Sequence, residues 1–516
     1  MEEHKFIQAL EQTLLTEKNV SITENGAIGY HTSGKALLDL NFAVSSMRNM
    51  DEEEIKKLFV KAFYEDRELA IRWLFFVSDI REGMGERRLL RILLKYLAET
   101  HKEAVREIIS LVPEYSRWDN LWCLLDTELK DDVLKLVKEQ LLTDENSMVA
   151  ETSASLLAKW MPSLNTSSEK SRSLAVKMAE GLGMSKAEYR KCLSSLRAYL
   201  KVVEVYMSKN AWEEIIYENV PSRANLIYKK AFFRHGREQR IQYLEQVKNG
   251  EKKINSQVLF PHDIVHRYKA QHGWCEKIKE ETDDTLEALW NALPDYVNGG
   301  ANTICVVDGS GSMTQTIGKS QVACSDVANA LAIYFSERAK GIFQDTFITF
   351  SKTPQLISVK SGKTLREKLE ILNAYQEVAN TNIEAVFELL LLAAVRGNLA
   401  QEEMPENILI LSDMEFDGCT VDMNGERCSV HLFETIRQRY LRSGYKLPRL
   451  IFWNICSRSR TIPLMENEMG VTLLSGFSST IMDMVLSTET DPFVCLKKKL
   501  ESSRYDAVGQ AIAEVL

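Results

Sequence analysis

Through roughly the first 295 residues, apolar positions recur at the three-to-four-residue spacing of amphipathic helices. The clearest runs are Phe59 to Val77, Arg88 to Leu97, Val133 to Leu142 and Leu174 to Leu182. Turn residues punctuate them at Asn25-Gly26, Gly83-Met84-Gly85, Pro113, Met161-Pro162-Ser163 and Pro221-Ser222. This part therefore reads almost wholly as helix, bundled or stacked as a solenoid, although no repeat fixes a period. After Trp290-Asn291-Ala292-Leu293-Pro294 the pattern changes, and Asp295 to Asn302, with Gly299-Gly300, marks the boundary. From there short apolar runs alternate with helical ones. Strands are expected at Thr303–Asp308, Asp345–Phe350, Ile408–Ser412, Leu450–Ile455 and Val471–Leu474. Helices are expected near Ser320–Arg338, Leu365–Tyr375, Ile383–Arg396 and Leu432–Leu441. Such alternation means a mostly parallel sheet with helices on both faces, so the fold class is α plus α/β: helical over 1–297, Rossmann-like over 298–516. In open sheets of this kind ligands bind beyond the carboxyl ends of the strands.

Composition narrows the class. The chain of 516 residues is 45% hydrophobic and 27% charged, the profile of a folded protein with more than one core. No run of about 18 uncharged apolar residues suggests a membrane span, and Met1-Glu2-Glu3-His4-Lys5 lacks the start of a signal peptide. The nine cysteines are scattered, with no Cys-x-x-Cys spacing, which argues against a disulfide framework or a structural zinc and fits a reducing cytoplasm. The net charge of −9 conceals a basic block: residues 151–270 carry 21 Lys and Arg against 12 Asp and Glu. Such a block is either a phosphate-binding face or a solvated helical surface.

One short segment carries metal chemistry. The apolar strand Ile304-Cys305-Val306-Val307 runs into Asp308-Gly309-Ser310-Gly311-Ser312. The glycines allow a turn tight enough for Asp308, Ser310 and Ser312 to converge. A carboxylate and two hydroxyls are hard oxygen ligands suited to Mg²⁺ or another small dication. Asn380-Thr381-Asn382, just before a helix, supplies a further hydroxyl, and the strand Ile408-Leu409-Ile410-Leu411-Ser412 ends in Asp413. No histidine lies near these loops in sequence, and a two-metal hydrolase needs more converging carboxylates than Glu415 and Asp417 add, so catalysis is the minority reading.

Together these pieces resemble the metal-ion-dependent adhesion site (MIDAS) of von Willebrand A domains. The resemblance implies direct ligation by Ser310, Ser312 and Thr381, water-mediated roles for Asp308 and Asp413, and a sixth position left for a partner's carboxylate. Further segments extend the likeness. They are Thr23-Glu24-Asn25-Gly26-Ala27, Asp79-Ile80-Arg81-Glu82-Gly83-Met84-Gly85-Glu86-Arg87 and Val112-Pro113-Glu114-Tyr115-Ser116-Arg117-Trp118-Asp119. Ala158-Lys159-Trp160-Met161-Pro162-Ser163, Tyr189-Arg190-Lys191-Cys192-Leu193 and Leu259-Phe260-Pro261-His262 follow. Ser412-Asp413-Met414-Glu415-Phe416 and Ser475-Gly476-Phe477-Ser478 complete the set. Over about residues 20 to 510 the chain resembles a domain-of-unknown-function family related to the TROVE (telomerase, Ro and vault) proteins. In Ro proteins that architecture is a ring of HEAT-like helical repeats closed by a von Willebrand A domain, a ribonucleoprotein that holds small structured and misfolded RNAs.

The residues give RNA separate but partial support. On an expected helix Tyr189–Met207, Leu193, Leu196, Leu200 and Val203 form one face, while Arg190, Arg197 and Lys201 line another beside Lys191. Arg223, Lys229, Lys230, Arg234, Arg237 and Arg240 follow, interleaved with Tyr228, Phe232 and Phe233. Cations neutralise phosphates and exposed rings stack on unpaired bases, although such phenylalanines more often fill a core. No RNA-recognition or KH signature is present.

Other signals are set aside. Gly29-Tyr30-His31-Thr32-Ser33-Gly34-Lys35-Ala36 misses a P-loop, because Ala36 stands where a hydroxyl must hold Mg²⁺ and no strand precedes it. His262, His266 and His272 lack the glutamate of a zincin. The expectation is therefore a cytoplasmic, non-catalytic RNA-binding protein with a magnesium adhesion site, without membrane or DNA partners. The competing expectation is a metal-dependent adaptor that captures an acidic group of a protein such as an AAA+ ATPase.

Overall fold

The computed structural model describes residues 18–271, 277–297, 302–350, 352–375, 381–418, 432–465 and 469–515. Contacts divide the chain into two units that interleave in sequence. One gathers Met1–Asp66, Leu259–Asp283 and Leu293–Leu500; the other gathers Arg67–Val258, Asp284–Ala292 and Glu501–Leu516. The contact units do not part at 297/298: residues 18–66 share a unit with the sheet, and residues 501–515 share one with the helices.

In the sheet unit the strands, in chain order, are β1 (Val20–Ile22), β2 (Ile28–Tyr30), β3 (Lys269–Gln271), β4 (Lys277–Ile278), β5 (Thr303–Asp308), β6 (Thr346–Phe350), β7 (Gln355–Ser358), β8 (Asn407–Ser412), β9 (Arg449–Asn454) and β10 (Val471–Ser475). The main sheet runs β10-β9-β8-β5-β6-β7. Every pairing is parallel except that of β7, which lies antiparallel on the β6 edge. Every residue of β5, β8, β9 and β10 is buried, which is why each reads as a mainly apolar run. The edge strand β7, with the half-exposed pattern of Gln355-Leu356-Ile357-Ser358, gives no such run and the sequence pattern misses it. So does it miss the small antiparallel pairs β1–β2 and β3–β4, which correct the reading of residues 1–295 as almost wholly helical.

The helix Cys324–Arg338 links β5 to β6 and is buried around most of its circumference, from Cys324 to Ser336. A helix apolar on every side needs cover on every side. The helix Pro261–Tyr268 supplies part of that cover, and a polar clasp fixes the pair. The fully buried carboxylate of Asp326 meets His266 Nδ1 at 2.8 Å, pairs with the buried Lys269, and accepts the Ala323 N–H at 3.1 Å. Burial raises its carboxyl, but His266, Lys269 and the Ala323 amide outweigh it and hold the group down at about 2. An aspartate near 3.9 in the unfolded chain then contributes stability above that value and loses it as pH falls toward 2, a span of about 2.5 kcal/mol. Asp326→Asn is expected to cost about that much at pH 7 and to flatten the acid limb of a urea-denaturation series. An unchanged acid limb would refute the clasp.

In the helical unit two expectations change. The run Phe59 to Val77 is two helices, Glu52–Glu65 and Arg67–Ser78, broken at Asp66, where the contact units also part. The expected helix Tyr189–Met207 is Lys186–Tyr199 followed by Val203–Ser208, because the chain turns at Lys201, whose φ of 50° is left-handed. The helix Lys186–Tyr199 starts with a capping box, Ser185 and Glu188 each satisfying the other's amide. The turn Glu82-Gly83-Met84-Gly85 follows the helix Arg67–Ser78 and closes it. A Cβ at Gly83 would lie 2.0 Å from the Phe76 carbonyl oxygen, and Gly85 has φ 71°. The buried Asp79 beside it accepts from Arg504 Nε at 2.9 Å, while Tyr505 stacks on Tyr115 at 5.7 Å, so the signature around Asp79 and Tyr115 anchors the segment Glu501–Leu516.

Candidate metal centre

Chain order reverses at the middle of the sheet: β5, β6 and β7 run to one side, β8, β9 and β10 to the other. The crevice at the carboxyl ends of the two strands that flank the reversal, β5 and β8, is where ligands bind in such sheets. β5 ends in Asp308, and Asp413 directly follows β8.

Both acids are buried, 2% and 1% exposed. Asp308 Oδ1 accepts the Ser310 N–H at 2.9 Å, and its Oδ2 accepts the Ser412 hydroxyl at 2.5 Å. Ser310 and Ser312 lie with their hydroxyl oxygens 3.0 Å apart. Asp413 Oδ1 accepts the Glu415 N–H at 3.3 Å, whereas Oδ2 is buried without a hydrogen-bond donor, and its nearest cation is Arg458 Nη2 at 3.4 Å. Burial, then the neighbouring Asp308 charge, push the Asp413 carboxyl up to about 7, against the pull of Arg458 and Ser312. Asp308 is raised as well, first by burial. Two buried acids that resist joint ionisation, one with an orphaned oxygen, beside two facing hydroxyls, fit a small hard cation.

Thr381 is buried and joins the site from the other side. Its hydroxyl accepts from Asn25 Nδ2 at 3.1 Å, and its carbonyl accepts the Asp417 N–H at 3.1 Å. Asp308, Ser310 and Ser312 share one set of hydrogen bonds, while Asp413 and Thr381 are joined through Glu415 and Asn25. Asn380 lies outside the described residues. Among those described, no group of three or more His, Cys, Asp or Glu side chains is placed to hold a metal, so the fit depends on the hydroxyls. The histidines take other roles: His262 lies between Phe260 and Phe477, and His266 serves the Asp326 clasp. His272 falls outside the described residues.

Several contributors escaped the sequence pattern. Asn25 also donates to the Glu415 carbonyl at 2.6 Å, and Thr23 Oγ1 donates to the Phe416 carbonyl at 2.7 Å, so the β1–β2 turn sits on the loop after β8. The Glu415 carboxylate is taken up by hydrogen bonds. Fully buried, it accepts the N–H groups of Glu24 at 2.8 Å and of Arg458 and Ser459 at 2.7 Å each, and the Ser457 hydroxyl at 3.1 Å. Arg458 reaches Glu24 at 2.5 Å. The segment Thr23–Ala27 was visible as a distinctive run but carried no sign that it belongs beside residues nearly 400 positions away. Nothing marked Arg458.

The expected RNA-contacting cations take different positions in the helical unit. Arg190, Lys191, Lys201, Arg223, Lys230, Arg234 and Arg237 are exposed and Lys229 is half-buried. Arg197 is not available as a phosphate contact: it donates to the carbonyls of Ala158 and Met161 and to Ser163 Oγ at 2.7–2.8 Å. Arg240 is fully buried, its guanidinium within 4.8–5.4 Å of the ring centres of Tyr217, Tyr243 and Phe232. Phe232 is core, as its type suggests.

No helix among the described residues is long and apolar enough to cross a membrane. Residues 124–299 match a family described as a domain of unknown function (DUF2828), and residues 302–506 match a second, described as a domain of unknown function (DUF7788). The chain is also similar to an uncharacterized protein of Acanthamoeba polyphaga mimivirus, 29% identical over 513 residues that cover 91% of this chain and 85% of that protein.

Proposed function

We propose that this chain is a non-catalytic RNA-binding protein of the Ro type, with a von Willebrand A-like sheet unit that holds a divalent cation, and that it acts in a reducing cytoplasm. The metal half of the reading is supported by the buried Asp308 and Asp413 at the carboxyl ends of β5 and β8, where strand order reverses, and by the Ser310 and Ser312 hydroxyls beside Asp308. Ser310, Ser312 and Thr381 would hold Mg²⁺ directly, with Asp308 and Asp413 balancing its charge. The cation would supply an open position for an acidic oxygen. The RNA half is supported by the seven exposed cations of the basic block, and a HEAT-like ring remains the arrangement implied by the Ro resemblance. Free thiols at Cys123, Cys192, Cys305, Cys324, Cys456 and Cys495 fit the proposed compartment.

Binding of labelled single-stranded and structured RNA, titrated at several salt concentrations, tests the RNA half. Affinity should fall steeply with salt, and the triple change Lys230→Gln, Arg234→Gln, Arg237→Gln should lower the slope of log K against log salt by up to about 0.7 per lost contact on single strands. No binding at low salt would end this reading.

A second reading, the metal-dependent adaptor, has its own support. The helix Glu384–Gly397, which begins three residues after Thr381, exposes Leu389, Leu392 and Val395 at 39–49%. An apolar face beside a metal with an open position suits a protein partner. On that reading Leu392→Glu weakens Mg²⁺-dependent protein capture and leaves RNA affinity unchanged.

A further inference from the structure

At one place in the helical unit an aromatic stack reaches solvent. The exposed His235, last residue of the short helix Lys229–His235, lies flat on the half-buried Trp212, with ring centres 4.3 Å apart and planes 9° from parallel. Trp212 is held from its own segment. Its Nε1 donates to Asn210 Oδ1 at 2.8 Å, and Asn210 turns the chain with a left-handed φ of 58°. Gln239 Nε2 donates to the Glu213 carbonyl at 3.1 Å, which ties the helix Arg237–Lys248 to the residue beside Trp212. Between the two helices, a Cβ at Gly236 would come within 3.1 Å of the Tyr217 hydroxyl, so the turn after His235 also lies close against that segment.

These contacts fix where the stack sits and leave the outer face of His235 unused. The imidazole makes no second ring contact and no side-chain hydrogen bond among the described residues. Burial explains the rings of Tyr217, Phe232 and Tyr243, which pack around Arg240; it does not explain an exposed imidazole spread over an indole. The charges around that face are mostly positive. From Lys229 to Arg237 there is no acid, and Lys230, Arg234 and Arg237 are exposed. Arg234 and Arg237 flank His235 in sequence, and neither forms an ion pair among the described residues. Glu213, Glu214 and Glu238 lie near the same rings in sequence and temper the field, so attraction for phosphate alone would not single this place out. A flat ring face between two unengaged guanidinium groups suits a ligand that is itself flat and carries an anion on each side, which describes a nucleotide within a strand. An aromatic side chain of a protein partner would match the ring and leave the arginines unused.

We propose that the outer face of His235, backed by Trp212, is a stacking platform for an unpaired base of single-stranded RNA, with Arg234 and Arg237 taking the phosphates on either side. The proposal rests on the RNA-binding function above and adds to it a contact with a base, where the exposed cations supplied contacts with the backbone alone. It also orders the substrates. A base reaches the platform only when unpaired, so single strands are preferred to duplexes. The platform reads no sequence, because every base has a ring face.

The test compares, on the full chain, a labelled oligouridylate with an abasic ribose-phosphate strand of the same length. The two strands carry the same charge, so their phosphate contacts cancel and the ratio of affinities reads the bases. The wild type should prefer the oligouridylate by about tenfold. His235→Ala should lose most of that preference while binding the abasic strand as the wild type does, and His235→Phe, which keeps a flat ring, should retain it. A wild type that binds both strands alike refutes the platform and leaves RNA binding standing. So does a His235→Ala protein that keeps the wild-type preference, or a His235→Phe protein that loses as much of it as His235→Ala. Equal weakening on both strands in His235→Ala also refutes the platform, because the stack is then a structural brace. If neither strand binds at low salt, the RNA-binding function fails and the platform with it.

Discussion

Asp413→Asn is expected to stabilise the metal-free protein above pH 7 and, at the same time, to abolish its response to Mg²⁺. The two effects share one cause. Asp413 is buried beside Asp308, with one oxygen lacking a donor, and its carboxyl is pushed up to about 7 by burial and by the Asp308 charge. In the unfolded chain an aspartate titrates near 3.9. Between those values the folded protein holds a proton that the unfolded chain has released, so metal-free stability declines as pH rises from about 4 to about 7 and is level beyond. Asparagine removes that penalty, worth on the order of 2–4 kcal/mol. A bound dication removes it differently, by stabilising both carboxylates in their charged form. At a concentration one hundred times its Kd, Mg²⁺ should add about 2.7 kcal/mol to the wild type and nothing to the variant. Since Mg²⁺ competes with the proton, its apparent affinity should weaken as pH falls below 7. Melting curves at pH 5, 6, 7 and 8, with EDTA or with Mg²⁺, read all of this together. An Asp413→Asn protein that responds to Mg²⁺ as the wild type does would remove Asp413 from the site.

Glu415→Ala carries the second large effect. Its carboxylate gathers three backbone N–H groups, those of Glu24, Arg458 and Ser459, and the Ser457 hydroxyl. Stranding several buried donors at once costs about 3–5 kcal/mol. The loss should not be confined to stability, because Glu415 fastens the β1–β2 turn and the Arg458 loop to the loop after β8, and Asn25 in that turn donates to the Thr381 hydroxyl. The variant should therefore bind Mg²⁺ more weakly, although it deletes no expected ligand. It should also be cut more readily by protease near residues 20–30. Glu415→Gln keeps an acceptor oxygen and should lie between the two proteins. Denaturant midpoints, Mg²⁺ titration and limited proteolysis of the three proteins separate these effects. Wild-type Mg²⁺ affinity in Glu415→Ala would show that the turn is not part of the site.

Both predictions turn on contacts that the sequence does not display, and the reason is physical. β5, β8, β9 and β10 were legible because a strand buried on both faces must be apolar throughout, and burial writes itself into every position. Asp308, Ser310 and Ser312 were legible because all three sit on one short turn, where glycine at alternate positions fixes their convergence. Asp413 stood out as the acid ending an apolar run. The edge strand β7, exposed on one side, left no comparable trace.

Tertiary structure decided the rest. A guanidinium looks the same in sequence whether it faces water or spends its donors internally. Only folding showed that Arg197 serves the carbonyls of Ala158 and Met161 and that Arg240 lies in an aromatic cage. The helical period continues smoothly through Lys201, where the chain in fact turns. Local pattern also could not place Thr23–Ala27 against the loop after Asp413, since that pairing depends on how distant segments close, which no neighbouring residue encodes. The sequence by itself determined the buried strands of the sheet, their alternation with helices and the acid and hydroxyl residues that follow β5. The tertiary structure alone determined which distant side chains lie against them, because hydrogen bonds and charges act through space and not along the chain.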